Sequence, residues 1–355
     1  MKNRIKIIFV LAVLAIVLSS CKKEVKETVK TEEPSVTVED PVGDPSKEEP
    51  ELVEGIVKEG IPSPLSGIFA AEEVINRRVV AVMFDNHPRA RWQAGLKDAE
   101  VVYEFPVEAP YTRYIGMYLI NSPESLGPVR SSRPYFVTKV LEYDAVYVRV
   151  GGSEEAKSDI KNLKVADIDG LTSSSKVFWR SKEKKAPNNL YTNMEVIRQT
   201  QAERGYKTNG DYTGFMFYDE SEDIEGYDGN SIKIEYYNNN TTEYIFNEVN
   251  KVYNRRKDGK DHIDEIDKSL ITAKNIIIQE VNTKVMDNEG RLRIDLIGKG
   301  RGKLFTNGKG INIEWEKKDR SSRTIYYYEN GQEVILNPGV TWIQVVNTNT
   351  NIIIE

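Results

Sequence analysis

The 355 residues predict an α+β protein: an N-terminal α/β-type domain with a mixed sheet, followed by a mostly β C-terminal domain. Two observations lead there. Between Arg78 and Arg204, short apolar runs of strand length alternate with segments whose apolar residues recur at helical spacing. From Tyr206 onward, β-branched and aromatic runs follow one another, separated by Asn, Gly and Asp clusters.

The chain opens with a basic start (Lys2, Arg4, Lys6), an apolar run of 12 residues from Ile7 to Leu18, and Leu18-Ser19-Ser20-Cys21. A basic n-region, an apolar h-region and small residues before a cleavage point mark a secretory signal. The run is shorter than the roughly 17–25 residues that cross a bilayer. Residues 1–20 are therefore expected to be a removed signal peptide, and Cys21 a lipidation site carrying palmitate-type chains. Two or more acyl chains hold a protein stably on a bilayer, where one holds it weakly. Residues 21–60 are acidic and lack aromatic residues or apolar periodicity, so a disordered tether is expected there. Without its first 20 residues the chain carries a net charge of −9, which excludes a basic nucleic-acid footprint. The single cysteine, once acylated, leaves no thiol chemistry. The two histidines, His87 and His262, sit in no metal-ligand motif, so neither metal nor cofactor is expected.

The N-terminal domain, 61–218, begins at the turn-rich Pro62–Gly67. Arg78–Phe84, Asp98–Glu104, Tyr114–Ile120 and Asp144–Val150 read as strands. Arg133–Tyr143, Glu154–Leu163 and Asn193–Arg204 read as helices, the second with Ser153 as N-cap and the third stopped by Gly205. The C-terminal domain, 219–355, follows the acidic, turn-like Asp219–Gly229. Its expected strands are Ile232–Tyr237, Thr242–Phe246, Lys251–Asn254, Ala273–Val281, Arg291–Leu296, Gly302–Phe305, Ile311–Glu316, Thr324–Tyr328 and Val340–Val346. Ile263–Leu270 is its one helix-like stretch. Gly298-Lys299-Gly300-Arg301-Gly302 lacks a Gly-Lys-Ser/Thr ending, so it reads as glycine-flanked hairpin turns rather than a phosphate loop.

Three constellations carry candidate chemistry. Asp85-Asn86-His87-Pro88-Arg89-Ala90-Arg91 directly follows a buried strand, where polar side chains can line a cleft. Gly127-Pro128-Val129-Arg130-Ser131-Ser132-Arg133 precedes a helix whose free N–H groups favour an anion. Phe178-Trp179-Arg180 and Pro187-Asn188-Asn189 form a polar loop, and Arg113 adds another cation. The bland alternatives are turn-capping side chains, a solvated N-cap and a single buried Trp. A serine nucleophile (Ser131 or Ser132 with His87 and Asp85) has no nucleophile elbow behind it. Glu104 and Glu108 could form a glycosidase pair, but their i, i+4 separation in a strand-like, Pro-interrupted stretch fixes no useful distance.

The segments SPLSG, RVVAVMFDNHPRARWQAGLKDAEVVYE, YTRY, GPVRSSRPYF, YDAVYVRVGGS, FWRSKEKKAPNNLYT, DNEGRLRIDLIGKGRG and NPGVTWIQVV together resemble the YerB-like bacterial lipoproteins. The likeness runs from about Pro62 to Val346. It implies paired domains of unknown function held extracytoplasmically on the cell membrane, with no assigned reaction. One departure stands out: a Pro-His-Asn segment is expected of the family, whereas this chain has Pro187-Asn188-Asn189.

The leading expectation is a non-enzymatic envelope protein. Its ligand site would be built from Asp85, Asn86, His87, Arg89, Arg91, Arg113, Arg130, Ser131, Arg133, Arg180 and Asn189, with the arginines converging on one cleft. Its partners would be the bilayer, through Cys21, and a peptidoglycan fragment or an envelope protein. The alternative is a cell-wall hydrolase or lyase using His87, Asp85 or Glu104.

Overall fold

The computed structural model describes residues 59–355. The expected signal, the expected lipidation site Cys21 and nearly all of the expected tether lie outside the described residues.

The N-terminal half supplies strands β1 (Val80–Asp85), β2 (Val101–Pro106), β3 (Thr112–Tyr118), β4 (Val146–Arg149) and β5 (Asp167–Asp169). Its main helices are α1 (Pro134–Glu142), α2 (Glu154–Asn162) and α3 (Met194–Glu203). Every residue of β1, β2 and β3 is buried, as their continuous apolar runs require of strands covered on both faces. Ser153 caps α2 by accepting from the Ala156 N–H, and Asn193 caps α3 in the same way through Val196.

The C-terminal half supplies β6 (Ser231–Tyr237), β7 (Asn240–Asn247), β8 (Val252–Lys257), β9 (Asn275–Val281), β10 (Gly298–Thr306), β11 (Lys309–Lys317), β12 (Ile325–Tyr328), β13 (Thr341–Asn347) and β14 (Asn351–Ile354).

One 11-stranded sheet runs through both halves, in the order Tyr227–Asp228, β11, β10, β9, β13, β2, β3, β1, β4, β5, with β12 beside β11. It is mixed: β13 lies parallel to both β9 and β2, β1–β4–β5 are parallel, and β3 is antiparallel to its neighbours β1 and β2. A second, antiparallel sheet orders β8, β7, β6 and β14. Period-two alternation sends Ile232 and Ile234 of β6 inward and Lys233 and Glu235 outward.

The same alternation gives the large sheet two cores. On one face Ala81, Met83, Tyr103, Phe105 and Ile115 pack against Phe136 and Val140 of α1 and Ile160 of α2. On the other Val82, Phe84, Tyr114 and Trp342 pack against Ile197 of α3 and Tyr244 and Tyr253 of the second sheet. Trp342 is fully buried and Trp315 nearly so, as core residues should be.

Three local expectations are corrected. Ile263–Leu270 is not a helix but a tight turn. There the Asp264 N–H bonds the Ser269 carbonyl, and the Asp264 carboxylate accepts from the Ile266 and Gly95 N–H groups. Its apolar residues mimic helical spacing, but aspartate side chains capture the backbone donors that a helix needs. Gly298–Gly302 is not a pair of hairpin turns but the first half of β10. A Cβ at Gly302 would lie 2.5 Å from the Ile278 carbonyl oxygen, and one at Gly300 would strike the Trp315 indole. Finally, β14 is a strand that no sequence signal announced.

Candidate functional site

Strands β1, β4 and β5 run parallel, so their carboxyl ends open on one side. In open α/β sheets that is where ligands sit. Asp85 ends β1, Arg149 ends β4 and Asp169 ends β5. The Gly127–Arg133 loop crosses this edge, bridging Val129 to Phe84 and Ser132 to Gly152. It thereby delivers Arg130, Ser131 and Arg133 beside Asp85.

Arg113 of β3 is paired in register with Asp85 and with Phe105. It is 5 % exposed, donates from Nη1 to the Ser131 carbonyl at 2.7 Å, and reaches within 4.0 Å of Glu108 through Nη2. Its Nε–H finds no acceptor among the described residues. Arg133 donates to Glu108 at 2.6 Å, and Arg130 lies 3.3 Å from the Asp85 carboxylate. Burial, then repulsion from Arg133, pulls the Arg113 guanidinium down to about 10 despite Asp85. Burial alone would raise the Glu108 carboxyl, but the Arg133 hydrogen bond and the charges of Arg133 and Arg113 outweigh it and hold that carboxyl below its ordinary range.

The amino ends of α1 and α2 both face this edge. Arg133 is the N-cap of α1, whose first turn carries no acid, while Glu154 and Glu155 follow the Ser153 cap of α2. Beside them a pocket of about 360 Å³ is lined by Glu108, Ser131, Arg133, Gly152, Ser153, Glu289 and Arg291. Glu289 and Arg291 belong to the turn of a short hairpin, Thr283–Val285 with Leu292–Ile294, that stands apart from both large sheets.

The expected arginines converge in part. Arg113, Arg130 and Arg133 meet around Asp85, Glu108 and Ser131. His87 is near them: its N–H donates to Asp85, its ring lies 4.7 Å from that of Tyr111, and Arg130 acts on its charge. Burial lowers the His87 imidazole below its usual range; Asp85 opposes this and Arg89, Arg130 and Arg91 add to it. Its Nδ1 accepts from the Arg89 N–H, so the neutral ring carries its proton on Nε2. Arg89 itself is exposed. Arg91 turns away to Asp258 at 2.5 Å, and Asn86 is fully buried, donating to Thr112 and accepting from Arg91. Arg180 is exposed and donates to Asn189, whose amide in turn closes the Ser181–Lys184 turn. Trp179 of the same loop is half-exposed rather than buried. Asn188 donates to Asp85 at 2.6 Å, so an amide stands where a family histidine was expected. Glu108 as a pocket wall, and Arg291 and Glu289, were missed. A DNEGRLRI segment between two strand signals was the available hint.

The enzymatic alternative meets two obstacles. Among the described residues, no hydrogen bond joins the His87 ring to Ser131 or Ser132; the Ser132 hydroxyl accepts from Tyr147. Glu104 is 0 % exposed, on the opposite face of the sheet from Arg113. It accepts from Arg255 (2.5 Å), Lys257 (2.9 Å), Thr112 (2.6 Å) and Thr242 (3.0 Å). Burial would raise its carboxyl, but Lys257 and Arg255 outweigh that and hold it at about 2. Burial, against the pull of Glu104, brings Lys257 down to about 8. The His262 Nδ1 accepts from Arg255 and its Nε2–H donates to Gln93, while the Arg255 guanidinium lies 4.2 Å from the Trp342 ring. An acid so enclosed and so strongly paired has no route to a substrate.

A larger groove, about 990 Å³ between α1, α2 and the start of β10, begins at Pro134 and Tyr135 next to Arg133, but Arg113, Arg130 and Arg133 do not line it. Its cations are matched locally, Arg320 to Asp159, Arg293 to Asp295 and Arg301 to Glu280. The smaller pocket is the better candidate because a buried arginine with an unmet donor adjoins it.

A mixed sheet shared by an α/β half and a mostly β half defines a two-part α+β protein. Residues 65–207 match "Protein of unknown function (DUF3048) N-terminal domain" and residues 232–343 match the corresponding C-terminal domain. The chain belongs to this DUF3048 family. It is 32% identical over 289 residues to "Putative lipoprotein YerB" of Bacillus subtilis (strain 168), covering 81% of this chain and 86% of that one. The crystal structure of the Bacillus subtilis YerB protein superposes with a TM-score of 0.75 at 32% identity, covering 82% of this chain and 99% of that one.

Proposed function

We propose that this protein is a membrane-anchored, extracytoplasmic binding protein of the cell envelope. Cys21 carries the lipid, and the Arg113–Arg130–Arg133 cluster receives an anionic group from a polar ligand such as a peptidoglycan fragment or a protein terminus. The carrying observation is Arg113: a guanidinium held out of water, with an unmet N–H and two further arginines around it. Three cations against Asp85 and Glu108 leave an excess of positive charge, and two helix amino ends add to it. Binding rather than catalysis is favoured because Glu104 is closed off and, among the described residues, no hydrogen bond joins the His87 ring to Ser131 or Ser132.

The test of the site is arginine side-chain NMR on the detergent-solubilised full chain titrated with acetate. The Arg113 and Arg133 N–H resonances should move while those of exposed Arg180 stay. If Arg180 moves as much as Arg113 and Arg133, the site does not exist. The anchor is tested separately: wild type should take up fatty acid and enter the detergent phase, and Cys21→Ser should do neither. A Cys21→Ser chain that is still lipid-labelled removes the anchor.

A further inference from the structure

We infer that the pocket beside Arg133 takes a zwitterion, the amino-carboxylate head of an amino acid or of a very short peptide, rather than a simple anion. This rests on the anion-site reading above and narrows it.

The lining carries the inference. Four of its residues are charged, two of each sign: Arg133 and Arg291, Glu108 and Glu289. Ser131, Ser153 and Gly152 complete it, and no apolar side chain contributes. A volume of about 360 Å³ lies at the small end of ligand pockets. Apolar ligands find nothing to bury against. A multiply charged anion such as phosphate would meet the Arg113–Arg133 side favourably but would face two carboxylates across a few ångströms. A bare cation would face two arginines and two helix amino ends. A small molecule carrying both charges meets neither penalty, which is how a site rejects competitors as well as attracting its ligand.

The two ends are also fixed in orientation. Arg133 sits against the carboxylate of Glu108 at 2.6 Å with Arg113 behind it, so the carboxylate of the ligand goes to the α1 side. Glu289 is largely exposed and its carboxylate is held, among the described residues, by Arg291 alone at 3.2 Å, so it can turn to an incoming ammonium. Surface pairs of this kind contribute little and exchange readily. The serine hydroxyls accept or donate at either end.

The experiment uses three matched probes on the detergent-solubilised full chain, followed by the same arginine resonances: alanine, N-acetylalanine with its amine blocked, and alanine amide with its carboxylate blocked. Alanine should bind at least ten-fold more tightly than either blocked form. Glu289→Gln, at an exposed position, should weaken alanine several-fold and leave N-acetylalanine unchanged. If N-acetylalanine matches alanine, the zwitterion proposal fails and the anion site stands. If none of the three moves Arg113 or Arg133, both fail. If alanine amide binds most tightly, the site selects cations and both are overturned.

Discussion

Two clusters of arginine and glutamate lie on opposite faces of the same sheet, one register position apart. Glu104 pairs with Tyr114, and Phe105 pairs with Arg113. Successive residues of a strand point to opposite faces, so this single step separates two worlds. Glu104, Arg255, Lys257 and His262 are all 0 % exposed, and every ionic group there has hydrogen-bonded partners from the two sheets it joins. Arg113, Arg130 and Arg133 sit at an open edge beside a pocket, and among the described residues the buried Nε–H groups of Arg113 and Arg130 have no hydrogen-bond acceptor. The two clusters are even connected: the Gln93 amide donates to the Asp85 carbonyl and accepts from His262, which bonds Arg255. Residue type does not distinguish a fastener from a binding site. The tally of satisfied partners and the access to solvent do.

The largest expected effect breaks the fastener. Glu104→Ala strands two buried cations and should cost about 3–5 kcal/mol in guanidinium unfolding. A loss below about 1 kcal/mol would mean that the cluster does not hold the sheets together. Next comes acid. The Glu104 carboxyl lies at about 2 when folded, below its ordinary 4.5, so its stabilisation is complete above pH 4.5 and fades as pH falls toward 2. That fading should amount to about 3 kcal/mol and be missing from Glu104→Gln. At the open site the effects shrink. Ser153→Ala removes the α2 cap at the pocket rim and should cost about 1 kcal/mol by the same unfolding assay. The smallest is Arg180→Ala, which should change stability by less than about 0.5 kcal/mol. It should also leave the acetate response of Arg133 untouched; a lost response would enlarge the site to include the 179–191 loop.

Much of this was legible in the residues. RVVAVMF and YIGMYLI announced buried strands because β-branched and apolar runs of that length have few other homes. Ser153 and Asn193 announced helix starts because their side chains can satisfy a free N–H. Asp85, Arg130, Ser131 and Arg133 pointed to the open edge through their position after a strand and before a helix. What stayed hidden is long-range. Nothing local in TWIQVVN says that β13 lies beside β2, some 240 residues earlier in the chain. Nothing near Glu104 names Arg255 and Lys257 as its partners, so an enclosed acid read as a catalytic one. Ile263–Leu270 misled for the opposite reason: its apolar spacing was real, but Asp264 redirected the backbone.

The position of β13 has a consequence for how the sheet is made. Its left and right neighbours, β9 and β2, come from different halves, so the large sheet is not continuous until β13 is in place. Without residues 341–347, β2 has one bare flank and the sheet is in two pieces. β13 is thus the keystone course, and a protein cut short before it should never reach its native form, however intact its arginine site appears on paper.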